Sequence, residues 1–175
     1  MFSAPPRLRV KRFYAHAMDI DLIEYRQEFR SDFERLNRIW LEQHALLEPV
    51  DLEYLREPER LILSHGGQVF FAMQGQTVVG TCAAIPISAT TWELAKLAVD
   101  PSARGLGIGR RLCDAVLTYA RAAGATEIVL TSHTALVEAI HLYETLGFRH
   151  APLPADVRYL TANVYMELSC GSGSI

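Results

Sequence analysis

Ile108, Leu112, Val116, Tyr119 and Ala123 fall three or four positions apart, and Gly124 follows them. That period gives a helix one apolar face, and a glycine just past the last turn suits the left-handed residue that closes many helices. Thr91–Val99 reads as a strand ahead of it, and Glu127–Thr131 as a buried strand behind it. Upstream, apolar and polar residues alternate from Asp19 to Arg26, with Tyr25 out of phase, which predicts a first strand. Phe33, Leu36, Trp40 and Leu47 lie close to helical spacing behind Ser31-Asp-Phe-Glu34, a capping-box pattern, and Pro49 is the expected stop. Asp51 and Pro58 open short helical turns, the second ending at Gly66-Gly67. Gln68–Met73 and Gln76–Ile87 flank a Gln74-Gly75 turn and predict a hairpin. A helix from Ala135, capped by Thr134, should end at Gly147 with Phe148 packing back on its last turn. Asn163–Leu168 alternates and makes a closing strand. The order is mixed α/β, with an early hairpin and a late strand–helix–strand crossover.

The length of 175 residues suits one domain, expected over 19–169. Residues 1–18, with Pro5-Pro6 and four basic side chains, are expected to form a loosely docked or mobile arm, and 170–175 a linker-like tail. A hydrophobic half and a charged fifth describe a globular chain. A net charge of −3 gives no footprint for nucleic acid. Cys82, Cys113 and Cys170 are odd in number and widely spaced, so neither a disulfide framework nor a zinc site is expected, and the histidines show no ligand spacing. No metal is assigned. No apolar run reaches membrane-spanning length and no signal-peptide core is evident, so a cytoplasmic location is the default expectation.

The strand and the long helix enclose Arg104-Gly105-Leu106-Gly107-Ile108-Gly109. Glycines let a backbone approach a bulky phosphate, and the first amides of a helix lack intrahelical partners. Together with the helix dipole they favour a pyrophosphate there. A P-loop is excluded because no Lys-Ser or Lys-Thr follows the glycines. A dinucleotide fingerprint needs its third glycine one residue later than Gly109, and Glu127 begins a strand where the ribose-binding acid should end one.

Arg104-x-x-Gly107-x-Gly109 resembles the Arg/Gln-x-x-Gly-x-Gly/Ala signature of the GNAT superfamily, the acetyl-CoA-dependent N-acyltransferases. Glu93-Leu-Ala-Lys-Leu-Ala-Val-Asp-Pro101 is similar to the strand and Asp-Pro turn that precede it in that superfamily, and Ala139-Ile-His-Leu-Tyr143-Glu-Thr-Leu-Gly147-Phe148 to its late helix. The resemblance covers roughly 19–169 and is sharp over 92–123 and 127–149. It implies a mixed, mostly antiparallel central sheet of six to seven strands flanked by helices. It also implies a bulged fourth strand that splays from the fifth, where the pantetheine arm of coenzyme A pairs like an added strand. Leu97, Ala98 and Val99, with Arg104, Gly105, Leu106, Gly107, Ile108 and Gly109, would then hold acetyl-CoA, the co-substrate, with Arg110 or Arg111 near the phosphates. Many relatives carry an asparagine in the first turn of the late helix. Leu136 stands there, so that contact is lost or passes to a hydroxyl, for which Thr134 is the candidate.

By the same resemblance Glu93 is the candidate base and Tyr143 the candidate acid for attack of an amine on the thioester. A carboxylate with a reference pKa of about 4.3 is a weak base for an ammonium near 10, so Glu93 needs an intervening water or a burial-raised pKa. The phenol, at about 10, can hydrogen-bond a departing thiolate whose basicity is close to that of cysteine, at about 8.5. Each residue also has a plain structural reading, Glu93 as a solvated strand carboxylate and Tyr143 as core. Lys96 is expected on the opposite strand face, without a role. Asp51, Glu53, Glu57 and Glu59 form either a rim that attracts a cationic amine or ordinary surface. Trp40, Tyr54 and Trp92 line an acceptor slot or belong to the core. The expected activity is N-acetyl transfer by direct attack, the competing reading being a module that binds acetyl-CoA or coenzyme A without chemistry. The acceptor amine and the oligomeric state, a homodimer included, stay open.

Overall fold

The computed structural model describes residues 19–171; the basic N-terminal segment 1–18 and residues 172–175 lie outside them. Seven strands form one open sheet in the order β1-β2-β3-β4-β5-β7-β6. They are β1 (Ile20–Glu24), β2 (Gln68–Gln74), β3 (Thr77–Pro86), β4 (Thr91–Val99), β5 (Glu127–Ser132), β6 (Arg149–Ala151) and β7 (Val164–Ser169). Every neighbouring pair is antiparallel except β4 and β5. This is the mostly antiparallel α/β sheet with flanking helices that the sequence predicts. The helices are α1 (Arg30–Gln43), α2 (Pro49–Arg56), α3 (Pro58–Leu61), α4 (Ile108–Ala122) and α5 (Val137–Thr145).

The sheet separates two apolar layers. Phe70, Ala72, Trp92 and Leu94 face Ile108, Leu112 and Val116 of α4 and Tyr143 of α5. On the other face Val69, Phe71 and Ala83 meet Phe33 and Leu36 of α1 and Leu55 of α2. The helical period of the sequence thus becomes the inner stripe of α4. Gly80 lets that helix seat close: a Cβ there would lie 2.9 Å from Leu112 Cδ1 and 3.0 Å from Ile108 Cγ2.

Several local expectations are corrected. α1 begins at Arg30 with Phe29 at its N-cap and no side-chain cap, so Ser31 lies inside the helix. Glu34 is occupied by Arg38 and Arg56 instead of closing a capping box. The helix ends before Pro49, which opens α2, and Ala45 makes the exit with φ of 53°. α5 starts at Val137, not Ala135, with Leu136 rather than Thr134 at its N-cap. Its far end is as expected: Gly147 has φ of 95°, the Phe148 amide donates to Tyr143 O at 3.1 Å, and the two rings meet edge-to-face at 6.0 Å.

Candidate active site

The centre of the molecule is shaped by two irregularities of β4. The first is a bulge. Ala83 pairs with Ala95 and Thr81 with Ala98, so three steps on β4 answer two on β3. The extra residue is absorbed at Lys96, whose φ of 56° is uncommon for a residue with a side chain. Before the bulge Trp92 and Leu94 face α4; after it Leu97 and Val99 do. Glu93, Ala95, Lys96 and Ala98 therefore share the other face. The expectation of Lys96 on the face opposite Glu93 is corrected here, because strict alternation fails across an inserted residue.

The second irregularity is a splay. β4 and β5 pair only over Thr91–Glu127, Trp92–Ile128 and Glu93–Val129. Beyond Glu93 the parallel strands part and a cavity of about 670 Å³ opens between them, well inside the range of small-molecule sites. Leu94–Val99 form one wall, and Thr131, Ser132 and His133 with Leu142 and Tyr143 of α5 form the other. One end reaches Gly105, Gly107 and the start of α4; the other reaches Asp51, Glu93, Lys96 and Tyr159.

At the helix end, Gly105 and Gly107 have φ of 77° and 72°, and a Cβ on either would meet nothing within 4 Å. The left-handed backbone is what favours glycine at both positions, and the space beside them is open. The first carbonyl used in α4 is that of Gly107, which accepts from Arg111 at 3.2 Å. Amides ahead of Arg111 thus have no intrahelical acceptor and point toward the cavity end. Arg104 lies 4.0 Å from the Trp40 ring centroid, and Trp40 Nε1 donates to Val99 O at 3.1 Å. Arg110 reaches Thr145 Oγ1 at 3.2 Å.

Most of the sequence-derived residues converge on this cavity: Glu93, Leu97, Ala98, Val99, Arg104, Gly105, Gly107, Ile108, Gly109, Arg110 and Tyr143 line it. Leu106 does not; its side chain is exposed. Thr134 is also absent from the lining, because its amide and hydroxyl are both taken by Asn163, at 2.9 and 3.1 Å. Trp92 is core, stacked edge-to-face on Tyr119, whereas Trp40 lines the cavity.

At the opposite end the expected acidic rim dissolves. Glu57 is paired with Arg60, Glu59 accepts from Tyr25 Oη, and Glu53 is exposed. Asp51 is buried and bound to Lys96 Nζ at 2.5 Å. Lys96 also donates to Tyr159 Oη at 3.1 Å. Burial works against its charge, but Tyr159 and Asp51 outweigh that and hold its pKa above the usual lysine value. Glu93 is 6 % exposed, and Oε2 meets Arg158 Nη1 at 3.2 Å. Burial raises the Glu93 pKa above the ordinary carboxylate value, although Arg158 and Lys96 pull it down. Arg158 lies 4.8 Å from the Tyr54 ring centroid. Lys96, Arg158 and Tyr159 were not assigned to the site from sequence, and Asp51 was offered only as part of the acidic rim. The one available signal was a lysine within a strand otherwise built for burial.

Tyr143 is 8 % exposed. Burial drives its phenol pKa well above the usual value. Cys82 and Cys113 are buried beside this layer. No group of three or more metal-ligating side chains occurs among the described residues. Nor is any helix among them long and apolar enough to cross a membrane.

The chain is thus an open, mostly antiparallel α/β sheet that splays at its parallel pair, with a glycine-rich helix start at one end of the gap. The chain belongs to the Acetyltransferase (GNAT) family, whose model matches residues 23–148. It is similar to N-acetyltransferase 8B of Homo sapiens, 37% identical over 93 residues, which cover 50% of this chain and 41% of that protein. The match therefore spans about two-fifths of the relative's length. Its fold is similar to a GNAT-family acetyltransferase from Staphylococcus aureus Mu50, with a TM-score of 0.79 and 24% identity, covering 86% of this chain and 99% of that one. It is also similar to the PaiA N-acetyltransferase of Thermoplasma acidophilum, solved in complex with coenzyme A, with a TM-score of 0.68 and 18% identity over 87% of this chain and 99% of the other.

Proposed function

We propose that this chain transfers the acetyl group of acetyl-CoA to an amine by direct attack on the thioester. The observation that carries this is the joining, in one cavity, of a helix start with unclaimed amides to a buried carboxylate and a buried phenol. The diphosphate sits at Gly105–Arg110 and the pantetheine arm lies along Leu97–Val99. The thioester then lies between Glu93 and Tyr143.

The neutral amine forms a bond to the carbonyl carbon, and the resulting oxyanion takes a backbone donor from the opened strand. Glu93 accepts the proton from nitrogen, directly or through one water. Its raised pKa makes it a better base than a solvated glutamate. The carbon–sulfur bond breaks as Tyr143 hydrogen-bonds the leaving sulfur, which departs as a thiolate and takes its proton from water, while Glu93 returns the proton it took to solvent. The raised phenol pKa keeps that proton in place at neutral pH and favours hydrogen bonding over complete transfer in the transition state.

The competing reading, a module that binds acetyl-CoA without chemistry, draws on the Glu93–Arg158 ion pair, which occupies one carboxylate oxygen. An amine-panel screen for thiol release from acetyl-CoA separates the two. Acetyl transfer requires release with at least one amine, and Glu93→Gln and Tyr143→Phe should each slow it by roughly a hundredfold. No release with any amine would leave only the binding module, and full retention of rate in both variants would take Glu93 and Tyr143 out of the chemistry.

A further inference from the structure

Glu48 is a buried acid that the chemistry above does not use. It sits at the N-cap of α2 and is 9 % exposed. Its carboxylate crosses to the long connection between β6 and β7. Oε2 accepts from the Leu160 amide at 2.9 Å, and Oε1 accepts from the Thr161 amide at 2.8 Å and the Thr161 hydroxyl at 2.6 Å. Burial alone would raise its pKa, but these three donors outweigh burial and lower it, so the group is a carboxylate at neutral pH. Its own amide donates to Asp51 Oδ2 at 3.0 Å, and the other Asp51 oxygen holds Lys96. The first turn of α2 thus grips the bulge of β4 and the β6–β7 connection together.

That connection delivers two side chains to the acceptor end of the cavity, Arg158 to Glu93 and Tyr159 to Lys96. Apolar packing does not hold it there at the point of attachment, because the Leu160 side chain is 93% exposed. We propose that Glu48 is a positioning residue for the acceptor amine: its carboxylate latches the β6–β7 connection so that Arg158 and Tyr159 complete the acceptor wall. The proposal rests on the acetyl-transfer reading only for the identity of that wall.

Glu48→Gln turns one acceptor oxygen into a donor that faces a backbone N–H, and Thr161→Val removes one donor while leaving the charge. Amide hydrogen exchange on the full chain with saturating acetyl-CoA tests the latch without needing an acceptor. In Glu48→Gln, amides 158–162 should exchange at least about tenfold faster, as expected for losing a hydrogen bond to a charged group, with amides 105–112 unchanged. Thr161→Val should move the same amides in the same direction by less. With an amine drawn from the panel, KM for the amine should rise about tenfold in Glu48→Gln while KM for acetyl-CoA stays within about twofold. Equal exchange at 158–162 in wild type and Glu48→Gln, or a parallel rise in both KM values, overturns the latch. Should no amine release thiol, the acetyl-transfer reading fails instead, and the exchange comparison still decides the latch.

Discussion

Glu93 is under two opposed influences. Burial favours its neutral form; Arg158 and Lys96 favour the carboxylate. A base must be ionised to act, so the acid limb of the rate profile should follow the balance between them. Arg158→Gln removes the nearer positive charge, one of the influences that lower the pKa. The Glu93 pKa then rises further, and the midpoint of the acid limb of kcat/KM should shift to higher pH by about one unit, a typical effect of a close opposite charge. The direction is fixed by sign alone: less positive charge means a proton held more tightly. An acid limb that stays in place or moves to lower pH would remove Glu93 from the base's role. Arg158 lies 65 residues from Glu93 along the chain, and no local pattern announces the pair. The candidate base was legible through its place before the glycine loop; the charge that tunes it was legible only once the chain had folded.

At the scale of elements, what the sequence made legible follows from periodicity. The inner stripe of α4 from Ile108 to Tyr119, the span of β4 and the glycine that closes α5 matched expectation, because each is encoded within a few residues, whereas Ala123, expected on the stripe, is exposed at the C-cap. β6 was missed. It is three residues long, Arg-His-Ala, with no alternation, and it exists because β7 offers it a partner. The bulge was missed as a position for a related reason. Alternation places Lys96 on the wrong face, and only its left-handed backbone, fixed by the mismatched register with β3, brings it beside Glu93. The bulged element then depends on the ion pair it creates, since Lys96 and Asp51 side chains are each only 5% exposed. Lys96→Met leaves Asp51 buried without its cation, and breaking a buried pair in this way costs about 3–5 kcal/mol. Adding Asp51→Asn removes the stranded charge while keeping an acceptor for the Glu48 amide, so most of that loss should return. Urea unfolding of the single and double variants measures both steps. A single variant as stable as wild type would mean that the pair contributes nothing to holding the bulge.

The whole molecule is a sheet whose two halves separate at one seam. β1 to β4 form an antiparallel block, β5 to β7 another, and three residue pairs at the start of β4 and β5 join them. Past that short join, unpaired strand edges face each other across the cavity, and α4 and α5 cover one side of it. A ligand with an amide-bearing arm can complete this sheet internally, as peptides do when they add to an exposed edge. Hydrogen exchange with saturating acetyl-CoA should therefore slow amides at the facing edges, within 95–99 and 131–133, and at the helix start, 105–110. β1 and β2, on the far side of β3, should be unchanged. Gly107→Asp provides the control. Aspartate tolerates the left-handed backbone better than most residues with a side chain, so the fold should survive at some cost in stability, but its charge would face the proposed diphosphate. In that variant acetyl-CoA should protect none of the three segments and should no longer raise the melting temperature, whereas the unliganded exchange pattern stays that of wild type. Protection that appears at β1 or β6 in place of the seam, or that persists in Gly107→Asp, would mean that the carrier binds elsewhere and that the gap between β4 and β5 is not where this sheet receives it.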